Sequence, residues 1–328
     1  MLRNLSLLTR ITMAIAMALP NVAWCQISSV VNDESSSDYT LRVTANLVQL
    51  NAVVMDRHKA LVSGLSKDNF HIYEDNILQQ IKHFSHEDAP VTVGLVIDNS
   101  GSMGPKRADL IAAALSFAHS SNPLDQIFVL NFNEHVSYGL PKGVPFTDRP
   151  DQLQLALSTI QTIGETALYD AIASALDHLK QSTCDKKVLI VISDGGDNAS
   201  THSLAQILDR SRDSSAIIYT IGIFDDQDGD QNPEPLKKLA NQTGGEAFFP
   251  QSSRDITSIC EGIARDIRNQ YTLAYIPSIL QRVGGYRRVE VKASSPDHGK
   301  LSVRTRTGYS VLAENLQTTR MVGHESHP

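Results

Sequence analysis

Asp98, Ser100 and Ser102 stand at alternate positions in a short run, Asp98-Asn99-Ser100-Gly101-Ser102. A carboxylate and two hydroxyls spaced this way are hard oxygen donors, suited to Mg²⁺, Mn²⁺ or Ca²⁺ rather than to a soft metal. The stretch before them, 91–97, is almost wholly apolar and reads as a strand buried on both faces. In open α/β sheets, ligands bind where such strands end. A second apolar stretch, 187–193, ends at Asp194, and Gly164-Glu165-Thr166 opens a helical pattern between the two. Three loops thus offer two carboxylates and three hydroxyls to one sheet edge. Taken alone, Ser100 and Ser102 read equally well as helix caps, and Asp98 as a turn cap. Thr166 and Asp194 in register favour the cation.

These loops need a frame. Strand patterns at 91–97, 126–132, 187–193, 216–223 and 245–249 alternate with helix patterns at 106–120, 151–160, 167–181, 203–211, 235–242 and 255–269. Such alternation predicts an α/β fold, a doubly wound and mainly parallel sheet with helices on both faces. The flanks are β-rich. Residues 41–54 alternate apolar and polar, while 70–73 and 79–84 surround a turn at Glu74-Asp75-Asn76. Beyond 271, strand patterns return at 271–276, 287–293 and 300–305. Neither flank has enough strands to close a core. The expectation is therefore a small β-sandwich built from both flanks, with the α/β domain inserted in it. The expected limits are a β segment at 38–88, the α/β domain at 89–270, a second β segment at 271–312 and a disordered tail at 313–328.

Asp98, Ser100, Ser102, Thr166 and Asp194 resemble the metal-ion-dependent adhesion site of the von Willebrand factor type A domain: Asp-x-Ser-x-Ser on one loop, Thr on the next, Asp on the third. The order of strands and helices over about 90–270 agrees. On its flanks, 68–75, 270–275 and Gly308-Tyr309 look like bacterial secreted proteins of the same type, and 239–249 within it fits that group too. The resemblance implies a Rossmann-like fold and a bound Mg²⁺, with Mn²⁺ or Ca²⁺ as alternatives. It also implies a protein ligand whose Asp or Glu side chain completes the metal's coordination.

Composition narrows the function. The formal net charge of −7 over 328 residues argues against nucleic acid as a partner. Arg3 and Arg10 precede an apolar segment at 11–19, and small residues follow near Ala23. This predicts a secretory signal peptide over 1–25, hence a secreted, periplasmic or envelope protein with no transmembrane segment after cleavage. Acylation at Cys25 is a second way of processing the leader. Of the two cysteines left, Cys184 and Cys260, pairing and a plain buried thiol are both open. The run 225–234 alternates carboxylates like a Ca²⁺ loop, but Gly229 is not at the sixth position that an EF-hand requires, so a solvated acidic loop is expected. No spaced His pair suggests zinc, and no nucleophile elbow or phosphate loop occurs.

Three functions follow from the residues. The first is an exported binding module, not an enzyme, that uses a divalent cation to hold an acidic group of a protein partner. The second is a metal-dependent hydrolase, for which Asp170 and Glu165 are the only nearby bases by sequence. The third is a structural envelope protein whose metal site is vestigial.

Overall fold

The computed structural model describes residues 47–158, 162–224, 232–279 and 285–311. The leader at 1–25, most of the acidic run at 225–231 and the tail at 313–328 lie outside the described residues.

The first strands are β1 (Val48–Met55), β2 (Phe70–Glu74), β3 (Ile77–Gln79) and β4 (Ile81–Ser85). Asp75 and Asn76, with φ of 46° and 68°, form the two-residue turn between β2 and β3. Aspartate and asparagine tolerate the left-handed region that such a turn demands. Glu74, expected in the turn, instead ends β2 and is buried. The pattern at 79–84, expected as one strand, divides at Gln80. β3 pairs with β2, whereas β4 pairs with a strand of the other sheet.

The α/β body then runs β5 (Val91–Asp98), α1 (Arg107–Ser120), β6 (Gln126–Phe132), β7 (Val136–Tyr138), α2 (Pro150–Ser158), α3 (Leu168–His178), β8 (Lys186–Ser193), α4 (Leu204–Asp213), β9 (Ile217–Gly222), α5 (Pro233–Thr243), β10 (Ala247–Phe248) and α6 (Ile256–Arg268). Its sheet order is β10-β9-β8-β5-β6-β7, parallel except for β7. Every residue of β5 and β9 is buried, as helices on both faces require. The edge strand β7, two of its three residues exposed, carries no alternation that sequence could report, and β10 is shorter than its pattern suggested.

Gly94 shows how tightly the central strands pack. A Cβ there would lie 2.3 Å from the Phe128 ring and 2.6 Å from Leu189 Cδ2, both side chains of the neighbouring strands. Gly94→Ala is expected to destabilise the body by about 1–3 kcal/mol through overpacking. Denaturant unfolding checks it, and a midpoint equal to wild type would contradict the packing.

The chain closes with β11 (Tyr271–Tyr275), β12 (Tyr286–Ala293), β13 (Ser302–Arg304) and β14 (Gly308–Ser310). These join the first four strands in two antiparallel sheets, β13-β1-β11-β4 and β14-β12-β2-β3. Leu50, Val54, Phe70, Ile72, Tyr271, Leu273, Val289 and Val291 form their common core. Two buried polar clusters organise this part. Glu74 accepts from Arg287 Nη1 (2.6 Å), Tyr275 Oη (2.6 Å) and Tyr309 Oη (2.7 Å). Asp125 accepts from the backbone of Val91 (2.8 Å) and from Arg268 Nη2 (2.9 Å), while Arg268 Nη1 reaches Asp88 (2.6 Å). The strand that leads into the α/β body and the helix that leads out of it are thereby tied at one point. Cys184 and Cys260 are both free, and burial pushes the Cys260 thiol up to about 12.

Candidate metal centre

Parallel pairing decides where the chemistry-bearing residues fall. β5 and β8 are neighbours in register, Ile97 opposite Ile192, so Asp98 and Asp194 leave the sheet side by side. β5 ends in a loop that enters a 3-10 turn at Gly101–Lys106. Backbone hydrogen bonds sew the second loop to the first, from Gly101 N to Gly164 O (3.2 Å) and from Ile163 N to Asn99 O (3.0 Å). The left-handed φ of Gly164, 89°, permits that approach. The third loop holds the second at both ends of one peptide. Asn198 Oδ1 accepts from Thr166 N (2.8 Å), and Thr166 O accepts from Asn198 N (3.0 Å) and Ala199 N (3.1 Å).

Within this frame Ser102 Oγ donates to Asp194 Oδ2, and Ser100 Oγ lies 3.1 Å from Ser102 Oγ. Asp98 accepts from Ser100 N through one oxygen (2.8 Å) and from Ser193 Oγ through the other (2.7 Å). Asp98 thus does cap its turn. Ser100 precedes the 3-10 turn but gives it no side-chain cap, so its hydroxyl faces the serine and carboxylate cluster instead. Thr166 Oγ1 makes no hydrogen bond to any described residue. Asp98, Ser100, Thr166 and Asp194 are all buried, and Ser102 is exposed at the mouth.

The electrostatics suit a cation. Burial first, and then the charge of Asp194, pushes the Asp98 carboxyl up to about 6, against the hydrogen bonds from Ser100 and Ser193. Two carboxylates sharing a poorly solvated pocket repel, and a bound divalent ion would offset that repulsion. Two carboxylates and three hydroxyls are a hard-oxygen set that fits Mg²⁺. Among the described residues no group of three or more His, Cys, Asp or Glu side chains gathers, so a cation here would depend on the hydroxyls.

Asp170 lies beside the site but is fully engaged. Its carboxylate accepts from Thr201 N (3.0 Å), Thr201 Oγ1 (3.0 Å) and His202 N (2.9 Å), and pairs with His202 Nδ1 (2.6 Å). Burial raises its pKa, but these hydrogen bonds outweigh it and hold the carboxyl at about 2. It therefore anchors the loop that follows Asp194 and is a poor proton acceptor. Glu165 is exposed, and its backbone N donates to Glu134 Oε2 (3.1 Å). Past the undescribed part of the acidic run, Asn232 caps α5 through Glu234 N (3.2 Å), and Glu234 pairs with Lys237 (3.1 Å).

Sequence reasoning missed Ser193, Asn198 and Arg107. Ser193 is a lone hydroxyl at the end of an apolar strand, and Asn198 sits in a polar loop where any residue would read as solvated. Arg107 at a helix start reads as an exposed charge. Its only signal was its place, five residues after Ser102.

The sequence model of the von Willebrand factor type A domain matches residues 93–196. A von Willebrand factor type A protein from Catenulispora acidiphila superposes with a TM-score of 0.50 at 14% identity, over 83% of this chain and 75% of that one. The corresponding domain of a type V pili tip protein from Porphyromonas gingivalis gives 0.46 at 15% identity, over 55% of this chain and 95% of its own. A pilus adhesin from Lactobacillus rhamnosus GG gives 0.46 at 12% identity, over 76% and 48%. Comparison with curated proteins finds no match. The matched span begins in β5 and ends at Gly196, so it holds Asp98, Ser100, Ser102, Thr166 and Asp194 but stops short of Asn198. Over residues 93–196 the chain is similar to a von Willebrand factor type A domain.

Proposed function

We propose that this chain is an exported binding module that grips a protein partner through a divalent cation. The observation that supports it is the meeting of Asp98, Ser100, Ser102, Thr166 and Asp194 at one sheet edge, with the Thr166 hydroxyl uncommitted to any described residue. A cation bound largely by neutral hydroxyls keeps much of its positive charge and takes an acidic side chain from a partner in place of a water. The protein's own part is to hold the donors still. Ser193 fixes Asp98, Asn198 fixes Thr166, and Ile163 presents an exposed apolar surface beside them. The leader supports export. Among the described residues no helix is long and apolar enough to cross a membrane.

The hydrolase reading loses its best base, because Asp170 is held ionised by four donors. The test is calorimetric titration of the mature protein with Mg²⁺, followed by capture of envelope proteins with Mg²⁺ or with chelator. One-site Mg²⁺ binding and a partner released by chelator are expected. No binding would end the proposal. A partner that stays bound in chelator would favour the vestigial-metal reading.

A further inference from the structure

Arg107 begins α1, where basic residues are ordinarily solvated, yet its guanidinium points inward beneath the metal loops. Nη1 donates to Asn99 Oδ1 (2.7 Å) and Thr162 Oγ1 (3.0 Å), and Nη2 to Leu157 O (3.0 Å). Asn99 sits between Asp98 and Ser100. Its own amide donates to Ile97 O (3.1 Å) and Asn131 Oδ1 (3.1 Å), and Asn131 in turn donates to Ala156 O (3.0 Å). Thr162 precedes the loop that carries Thr166. One planar group therefore bridges the first loop, the second loop and α2. The space under it, lined by Asp98, Asn99, Arg107, Leu157 and Thr162, is a cavity of about 10 Å³. That is room for about one water.

We propose that Arg107 is a positioning residue that makes this site select Mg²⁺ over Ca²⁺. The inference rests on the cation reading above. Mg²⁺ demands near-ideal octahedral geometry with oxygens at about 2.0–2.1 Å, whereas Ca²⁺ accepts six to eight oxygens at about 2.3–2.6 Å in flexible arrangements. Ser100 and Ser102 ride on one loop and Thr166 on the other, so the spacing of the two loops sets the size of the cage. A braced spacing favours the small ion, and a slack one tolerates the large ion. Lysine keeps the charge of Arg107 but gathers its three N–H donors on one nitrogen at the end of a flexible stem. It cannot reach acceptors on two loops and a helix at once.

Arg107→Lys is therefore the variant to test, with Thr162→Val as a milder one that removes a single acceptor. Mg²⁺ and Ca²⁺ are titrated separately by calorimetry into wild type and both variants. Arg107→Lys is expected to lose about tenfold in Mg²⁺ affinity, within the range for residues that orient metal ligands. Ca²⁺ affinity should change by less than about threefold, because its geometry is forgiving. Thr162→Val should move the ratio the same way by less, and it decides the matter if Arg107→Lys does not fold. In metal-free protein the amides of Gly101 and Ile163, which join the two loops, should exchange faster in Arg107→Lys. An unchanged Mg²⁺-to-Ca²⁺ ratio in a folded variant overturns the selectivity role and leaves the binding-module reading standing. Wild-type protein that binds neither ion overturns both.

Discussion

Glu74→Ala is expected to destabilise the protein by about 3–5 kcal/mol, measured by denaturant unfolding. The carboxylate lies in the core between the two antiparallel sheets and is almost fully buried, as is the Arg287 side chain it pairs with. It accepts three charge-assisted or phenolic hydrogen bonds, and truncation would leave all three donors stranded. Arg287 Nε already lacks a partner, so the guanidinium has nothing to fall back on. Burial, the larger cause, pushes the phenols of Tyr275 and Tyr309 up and persists without Glu74, so neither compensates by ionising. The loss is a large fraction of the 5–15 kcal/mol typical of a folded domain. Glu74→Gln keeps the shape and an acceptor and should cost less. Replacing Glu74 and Arg287 together by methionine should cost less than Glu74→Ala, because no buried charge is then left alone. A near-neutral Glu74→Ala would contradict the cluster.

Asp98→Ala is expected to lower Mg²⁺ affinity about a hundredfold or more while the fold persists. Asp98 would supply one of the two carboxylates in the proposed donor set, and it orders its loop by accepting from Ser100 N. The apolar strand before it is fixed by its neighbours along its whole length, so the frame does not depend on this side chain. Asp98→Asn is the sharper variant. It keeps an oxygen for Ser100 N or Ser193 Oγ, so lost binding there reports on charge rather than on loop disorder. Calorimetry gives the affinity and circular dichroism the fold. An Asp98→Asn protein that binds Mg²⁺ like wild type would remove the carboxylate from the site.

How far the sequence could be read depended on where each residue's partners lie. Stretches such as 91–97 and 126–132 announce themselves because both faces are buried, and both appear as strands with nearly those limits. The doubly wound sheet and its flanking antiparallel sheets follow from such stretches. Short range fails where one side chain's surroundings decide. Gln80 gives no sign that the chain changes sheets there, since both halves of 79–84 alternate equally well. Glu74 reads as a turn residue until Arg287, 213 positions later, comes to meet it. The carboxylates and hydroxyls at the sheet edge were visible because their types and spacing carry chemistry. The braces behind them, Ser193, Asn198 and Arg107, were not, because an isolated hydroxyl, amide or helix-start cation has no pattern.

The pairing of the two antiparallel sheets has a temporal consequence. Tyr271 bonds to Val62 across 209 residues of chain, and Tyr275 to Glu74 across 201. During synthesis β1 leaves the ribosome long before its partners β11 and β13 exist, and β2 long before β12. Contacts so distant in sequence form slowly, because chain closure must come first. The α/β body, whose central strands are joined by helical crossovers, brings Asp88 and Arg268 together as it folds. It therefore acts as the closing device for everything outside it. Until then Leu50, Val54 and Ile72 are without their final cover, the kind of exposed apolar surface that favours aggregation.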